Sequence, residues 1–397
     1  MPKTSTKFSV YKNSIMARGY NRLPLAAALL ATATSASAAG GIVAGDWTLD
    51  IGGIVNAYYT STHHTGANHG LIGGANTTGT ATSSNITTGL LPNYLTVSGK
   101  TRQNDLDVGF TISIQPGTSN THALDYAQST THAPQENRQA FLTFGDASWG
   151  SFKLGKDLGI YASDAILNDM TLLGVGSAAG SLTGNTTTLG GIGAGYIYAD
   201  WKPQIAYTTP NFNGFSATGG LTQSWGDAAR GGSQPAFEGK ASYDFTADAV
   251  TGKVWVSGIT QKLQTVNERA EAWDIGANVN VAGFGVTAYY GQGSGIGSLA
   301  QMSDSTGKLD SQDWYVQATY VLPTKTKIGA RYGESEIDVA GGNNTTTNDM
   351  WVVGAYHPLT KHLNLVAEYS DATASGTAAG YVDGKNKTVS LGAILFF

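Results

Sequence analysis

The chain has 397 residues, of which 53 are glycine, 19 are tyrosine and none is cysteine, and its formal charge is −5. Without cysteine, neither a disulfide framework nor thiolate chemistry is possible. The many aromatic and β-branched residues exclude a disordered chain. An acidic balance argues against a nucleic-acid partner, which needs a basic surface.

Residues 1–38 have the layout of a secretory signal peptide. Arg18 and Arg22 precede an apolar run over residues 23–33, and Ala36-Ser37-Ala38 follows as a small-x-small cleavage pattern. The run is shorter than the ~20 residues of a membrane-spanning helix. Met16 is a second possible initiator methionine, from which translation could begin. Removal of 1–38 takes away five cationic residues and no acidic residue, which lowers the formal charge from −5 to −10. We therefore expect an exported mature chain over residues 39–397.

Apolar and polar residues alternate along several stretches of about ten residues, such as 46–59 and 105–115. Period two marks strands with one apolar and one polar face. Strands of a soluble sandwich are usually about 5–6 residues long. Strands of about ten residues are typical of a tilted transmembrane barrel.

The connections between these stretches alternate in length. The long ones lie near residues 61–89, 116–136, 158–196, 227–236, 262–269, 294–311, 338–348 and 372–386. The short ones lie near 101–104, 145–150, 210–213, 246–252, 282–283, 323–326 and 358–361. Short periplasmic turns and longer outer loops are typical of bacterial outer-membrane barrels, whereas a sandwich has no reason to sort loops by length. The pattern predicts an all-β fold, a 16-stranded antiparallel transmembrane β-barrel.

Aromatic residues support a membrane setting. Indole rings favour the headgroup level, and the tryptophans are predicted near strand ends: Trp47, Trp149, Trp201, Trp225, Trp255, Trp273, Trp314 and Trp351. The last residues, 389–397, predict a closing strand that ends in Phe397. Because backbone groups in lipid need partners within the protein, this strand should pair with the first one.

The stretch "ENRQAFLTFGDASWGSFKLGKDLGIYASDAILNDMTLLGVG" (136–176) resembles the fourth strand, turn, fifth strand and third loop of the general trimeric porins of Gram-negative bacteria. "AYTTPNFNGFSATGGL" (206–221) is similar to their sixth and seventh strands, and Phe397 to their terminal aromatic. The resemblance implies a homotrimer in the outer membrane. It also implies that the third loop, residues 158–195, folds into the barrel and narrows it, with loop acids facing a basic wall.

The resemblance implies which residues line this constriction. Asp169 in "NDM" matches the first loop acid of the family, while the second falls near Leu173, for which Asp164 is a possible substitute. Arg138 matches a wall arginine. Other wall positions that carry Lys or Arg in the family correspond to Gly53, Tyr94 and Asp200 in this chain. Lys202 lies two residues after Asp200 on the same face of its strand. A less charged constriction than the family norm is expected.

Strand alternation supplies a separate indication of which cations face the lumen. Alternation along their strands places the side chains of Lys100 and Lys202 on the face that points into the lumen. Arg138 lies on that face in one of two possible strand registers. A lipid-facing Arg at mid-bilayer costs about 2–4 kcal/mol, which favours the lumen. The candidate constriction set is therefore Asp164, Asp169, Arg138, Lys202, Tyr94 and Lys100.

Other chemistry is weakly indicated. His63, His64 and His69 lie in a predicted loop with no acidic neighbour, which argues against a metal site. The glycine runs "GGIGAG" and "GQGSGIG" lack the helix and the Lys-Ser/Thr ending of a phosphate loop. A lipid-hydrolysing barrel would need a base beside its nucleophile, and no predicted strand carries a mid-barrel histidine. Neither an enzyme nor a cofactor is expected.

The sequence thus predicts a passive diffusion channel for small hydrophilic solutes and ions, embedded in outer-membrane lipid. Size exclusion by the third loop and a modest charge filter would select solutes. Two alternatives remain open. The first is a substrate-selective channel with a binding site at Tyr94, and the second is an adhesin or structural barrel closed by its loops.

Overall fold

The computed structural model describes residues 41–67, 81–118, 135–178, 187–224, 234–263, 268–302 and 308–397. The predicted signal peptide, Trp225 and His69 lie outside these ranges. The described residues form a closed antiparallel barrel of sixteen strands, which confirms the predicted fold. No described helix is long and apolar enough to cross a membrane.

Two of the sixteen strands, β2 and β4, are each interrupted and consist of two segments. The first seven strands are β1 (Trp47–Gly66), β2 (Ala81–Thr87 and Tyr94–Gln103), β3 (Leu106–Pro116), β4 (Gln135–Glu136 and Ala140–Asp146), β5 (Gly150–Leu158), β6 (Trp201–Thr208) and β7 (Phe215–Thr222). The other nine are β8 (Ala236–Ala247), β9 (Val250–Lys262), β10 (Arg269–Val281), β11 (Phe284–Ser294), β12 (Asp310–Val321), β13 (Lys327–Val339), β14 (Asn344–Pro358), β15 (Leu363–Gly376) and β16 (Gly384–Phe396).

The barrel closes where the sequence places its last strand. β16 pairs with β1 from Gly384, opposite Gly66, to Phe396, opposite Ile54. Beyond it, the backbone N–H groups of Phe397 and Gly53 donate to each other's carbonyls at 3.1 and 2.9 Å. A short segment, Ile42–Ala44, then pairs with the start of β1. Together these pairings satisfy the edge of β1, as a spanning strand in lipid requires.

Side chains alternate across the wall as predicted. In β1, Ile51, Val55 and Tyr59 face outward and are 48–56% exposed, while Ile54 and Tyr58 are buried on the inner side. An exposed aliphatic belt is unfavourable in water and favourable against hydrocarbon. The outer face of the barrel is therefore built for a bilayer.

Some short turns are tighter than the sequence indicated, while the turn predicted at 210–213 lengthens to 209–214. The predicted connection 246–252 narrows to two residues, because Ala247 pairs with Val250. At the next such turn Ala282 and Gly283 have φ angles of 48° and 86°. Two successive positive φ angles are typical of type I′ hairpin turns, whose twist matches that of the paired strands.

The expectation that tryptophans lie only near strand ends is wrong for Trp255. This residue sits in the middle of β9, is 3% exposed, and its ring lies over Gly276 of β10. On the outer face, Trp273, Trp314 and Trp351 each contact a tyrosine of the adjacent strand. The ring centroids of Trp314 and Tyr332 are 5.4 Å apart, and those of Trp351 and Tyr369 are 5.1 Å apart. These pairs fall mid-strand because strands of 12–15 residues exceed the ~10 residues that span the membrane.

Candidate functional site

The described parts of the segment between β5 and β6, residues 159–178 and 187–200, lie inside the barrel; we call this segment the constriction loop. It contains a short helix α1, Ser163–Leu167, and a 3-10 helix, Met170–Leu173. The N–H of Gly159 donates to the carbonyl of Asp200 at 2.8 Å and closes the neck of the loop. Both helices are mostly buried, and they belong to one apolar cluster with wall residues such as Val352 and Ile394. This packing fixes the loop against the barrel wall.

Glu238 of β8 anchors the beginning of the loop. Its carboxylate accepts the N–H groups of Ile160 and Tyr161 at 2.8 and 2.9 Å. The same carboxylate forms an ion pair with Lys202, and both side chains are almost completely buried. Lys202, predicted to act in the filter, is therefore held within the wall by Glu238.

Glu368 of β15 anchors the middle of the loop. One carboxylate oxygen accepts the N–H groups of Val175 and Gly176 at 2.7 and 2.8 Å, and the other accepts the hydroxyl of Tyr356 at 2.6 Å. Two charge-assisted bonds to successive amides hold the backbone at one height in the barrel. A side chain at position 174 would collide with Glu368, because a Cβ on Gly174 would lie 2.1 Å from its carboxylate.

Asp164 in α1 points to the wall. Its two carboxylate oxygens contact Lys240 of β8, at 3.0 Å, and Lys253 of β9. Burial alone would raise the pKa of Asp164, but the two ammonium groups hold it below its usual value. The loop acid is thus neutralised by the strands behind it.

Asp169 also faces the wall, where it meets Arg331 of β13. Its carboxylate lies 3.5 Å from Arg331 Nε and accepts the hydroxyl of Tyr196 at 2.7 Å. The guanidinium carbon lies 4.9 and 5.6 Å from the ring centroids of Tyr315 and Tyr196. Arg331 is 2% exposed. Glycine is required beside it, since a Cβ on Gly191 would approach the guanidinium to 2.3 Å.

Arg138 lies in a β-bulge that the sequence did not reveal. Gln115 pairs with Glu136 and Phe110 pairs with Leu142, so β4 holds one more residue than β3 between these pairs. An extra residue reverses the alternation. Leu142 faces outward, while Arg138 forms an ion pair with Glu136 at 2.8 Å and its guanidinium carbon lies 5.9 Å from the ring centroid of Trp201.

Tyr94 and Lys100 lie at different heights on β2. Tyr94 pairs with Ile54 at the level of the loop, and its side chain packs against the apolar cluster. Lys100 pairs with Thr48, six residues further along the strand, or roughly 20 Å nearer the periplasmic end. The side chain of Lys100 is exposed, and alternation along β2 places it on the lumen face. The structure does not bring Lys100 together with Asp164 or Asp169.

The residues that hold the loop were missed in the sequence, although a signal was present. Glu238, Lys240, Lys253, Arg331 and Glu368 are all charged residues with lumen parity inside long strands. A charge at such a position points to the interior of the barrel. The sequence could not show that the partner is the folded-in loop.

The histidine cluster is not a loop site. His63 and His64 belong to β1 and point to opposite sides of it, where they contact Thr82 and Asn386. Two neighbouring residues of one strand cannot converge on a metal ion. In the described ranges no group of three or more His, Asp or Glu side chains could hold one.

A closed sixteen-stranded barrel with an apolar outer belt and an inward-folded third loop defines a channel of the bacterial outer membrane. The model of the Gram-negative porin family matches residues 25–377, and the chain belongs to that family. This match confirms the resemblance that residues 136–176 and 206–221 indicated. The protein is an outer-membrane porin.

Solved structures of low sequence identity share this fold. The anion-selective porin from Comamonas acidovorans is 14% identical, with a TM-score of 0.59 over 88% of this chain and 100% of that one. The outer-membrane channel DcaP of Acinetobacter baumannii is 16% identical, with a TM-score of 0.62 over 90% and 100%. OmpF of Salmonella typhi is 15% identical, with a TM-score of 0.54 over 88% and 99%. No curated protein sequence shows significant similarity to the chain.

Proposed function

We propose that this porin passes small hydrophilic solutes and ions by passive diffusion, without turnover or a cofactor, and that it acts as a homotrimer. The observation that carries the proposal is the constriction loop, which lies inside the barrel and is anchored to its wall by Glu238 and Glu368. A porin of the same fold, OmpT of Vibrio cholerae, is described in a trimer form, which supports the oligomeric state. Closure of channels in three equal conductance steps in planar bilayers would test it.

The permeation path is proposed to run along the wall formed by β2 to β5. The hydrogen bonds that fix the loop come from β8, β12, β13 and β15, and others come from Tyr58 of β1 and from residues 89 and 90 at the interruption of β2, so the loop lies mainly against that side. On the other side the lumen-facing charges include Lys100, the Arg102–Asp107 pair and the Lys153–Asp157 pair. Solutes would pass between these side chains and the loop.

The charge filter is proposed to lie on this wall. Asp164 and Asp169, the expected filter acids, are both neutralised by wall cations. Lys202 is paired with Glu238 and Arg138 with Glu136. Lys100 is exposed and forms no ion pair with the described residues. Among the candidate constriction residues it therefore has the most direct effect on passing ions, through a field screened over about 8 Å at physiological salt.

We expect Lys100→Gln to shift the reversal potential in a salt gradient towards cation preference by several millivolts. The loss of an uncompensated positive charge from the lumen causes this shift. Lys308→Gln, which removes an exposed charge outside the strands, is the matched control and should change the potential little. An unshifted potential in Lys100→Gln would contradict the location of the filter. A current that saturates with one solute class would instead favour a substrate-selective channel.

Residues 1–38 are proposed to be removed during export. The proposal rests on the charged, apolar and small-residue regions in that order. The intact mass of the protein isolated from outer membranes tests it, since a chain that starts at residue 39 is expected.

A further inference from the structure

A row of polar residues crosses the barrel wall behind the constriction loop. The strand pairing places Ser257, Asp274, Gly291, Asp313 and Ser335 opposite one another on β9 to β13. All of them face the lumen side of the wall. Asp274 is 0% exposed and Asp313 is 6% exposed. Two carboxylates are thus buried on either side of a glycine.

The glycine leaves a gap between the two carboxylates. Strands lie about 4.8 Å apart, so the Cα atoms of Asp274 and Asp313 are separated by about 10 Å. Two aspartate side chains that lean towards each other across this distance can share one ion, with metal–oxygen bonds of about 2.3–2.6 Å. The hydroxyl of Tyr289 lies over the same gap, 2.7 Å from where a Cβ on Gly291 would be.

Two polar atoms around this gap have no hydrogen-bond partner among the described residues, whereas the carboxylate of Asp313 is hydrogen-bonded to the hydroxyl of Ser335. Asp274 accepts the hydroxyl of Ser257 at 2.7 Å with one oxygen, but its Oδ1 makes no hydrogen bond. The hydroxyl of Tyr289, a residue that is 4% exposed, is also without a partner. Buried polar atoms of native proteins are rarely left unsatisfied. A ligand between the carboxylates would satisfy both.

The charge at this position is also uncompensated. In the part of the chain that the structure describes, no Lys or Arg forms an ion pair with Asp274 or Asp313. Lys240 and Lys253, on the neighbouring strands β8 and β9, are engaged by Asp164. Two buried carboxylates without a counter-charge cost several kcal/mol. One divalent cation would neutralise both.

We propose that Asp274 and Asp313 form a binding site for one divalent cation of the calcium type, in the wall behind the constriction loop. Hard oxygen ligands suit Ca²⁺, and water completes its coordination where the protein supplies few ligands. The site is connected to the loop through Ser257, whose hydroxyl accepts the N–H of Ala162 at 3.1 Å and donates to Asp274. The bound ion therefore holds the start of α1 and lowers the mobility of the loop.

The test uses the full chain in detergent micelles after treatment with a chelator. Tb³⁺, a luminescent substitute for Ca²⁺, is excited through nearby tyrosines, and Tyr289 provides one at the site. We expect one equivalent of sensitised emission that Ca²⁺ displaces, and a melting temperature that rises by several degrees with Ca²⁺. Asp274→Asn and Asp313→Asn should each weaken Ca²⁺ binding at least 10-fold. The matched control is Asp310→Asn, which removes an exposed carboxylate from the same strand as Asp313.

Two outcomes overturn the proposal. If Ca²⁺ changes neither the emission nor the melting temperature of the wild type, the carboxyl groups hold protons instead of a metal ion. If Asp310→Asn loses as much binding as Asp274→Asn, the ion binds to surface acids. The wild-type titration does not depend on the folding of any variant. A wild-type response that Gly291→Ala abolishes supports the proposal, because the added methyl group fills the gap.

Discussion

Replacing Glu368 with alanine is expected to release the middle of the constriction loop and to widen the pore. The substitution removes the acceptor of three buried donors, the N–H groups of Val175 and Gly176 and the hydroxyl of Tyr356. Each orphaned buried donor costs about 1–3 kcal/mol. Amides of the loop should therefore exchange with deuterium at least 100-fold faster, while those of the strands keep their protection.

Single-channel conductance supplies the functional readout for this variant. We expect a larger and noisier unit conductance in Glu368→Ala than in the wild type, because a mobile loop no longer narrows the lumen at a fixed height. Glu271→Ala removes an exposed carboxylate from β10 and serves as the matched control. Unchanged exchange and unchanged conductance in Glu368→Ala would show that the apolar packing alone holds the loop.

Replacing Arg331 with methionine is expected to leave the carboxylate of Asp169 buried without its cation. Removing one partner of a buried ion pair costs about 3–5 kcal/mol. Asp169 keeps the Tyr196 hydroxyl and the N–H of Thr171 as hydrogen-bond donors. The predicted result is local opening of the loop around residues 187–200, measured as faster deuterium exchange there.

A double-mutant cycle separates this effect from lost packing. Asp169→Asn alone should also be destabilising, because the guanidinium of Arg331 then keeps the Ala194 carbonyl, at 3.0 Å, but loses its carboxylate partner. The double variant Arg331→Met/Asp169→Asn should be closer to the wild type than either single variant. Additive effects of the two substitutions would mean that the pair does not couple the loop to β13.

The barrel could be predicted from the sequence because its rules are local. Alternation with period two defines the faces of β1 and β3, and alternating loop lengths define the strand count. The ends of the strands could not be predicted as closely. Ala247 pairs with Val250, so both strands extend into the residues 246–252 whose sequence is typical of a turn. The bulge at Arg138 could not be read from alternation, because one inserted residue exchanges the two faces without changing the composition.

The family resemblance implied the location of the constriction loop and a basic wall facing its acids, but not the cations that the acids meet. Asp164 and Asp169 were expected to face a basic wall, and the structure pairs them with Lys240, Lys253 and Arg331 of the wall. These contacts join residues 76–162 positions apart in the chain. Only the folded loop determines which strands it meets, so a single sequence does not specify such pairs.

We propose that solutes pass along the β2–β5 wall and not behind the loop, and a chemical probe of the wall tests this path. The chain has no cysteine, so a single introduced thiol reports its own exposure to the pore. Ser98→Cys and Thr143→Cys place a thiol on the proposed path, and Ser335→Cys places one on the buried wall, where Ser335 accepts the N–H of Gly195. The measurement is single-channel current before and after an anionic methanethiosulfonate reagent. We predict that the current falls in the first two variants and stays constant in Ser335→Cys, whereas block of Ser335→Cys with the other two unaffected would contradict a path along the β2–β5 wall.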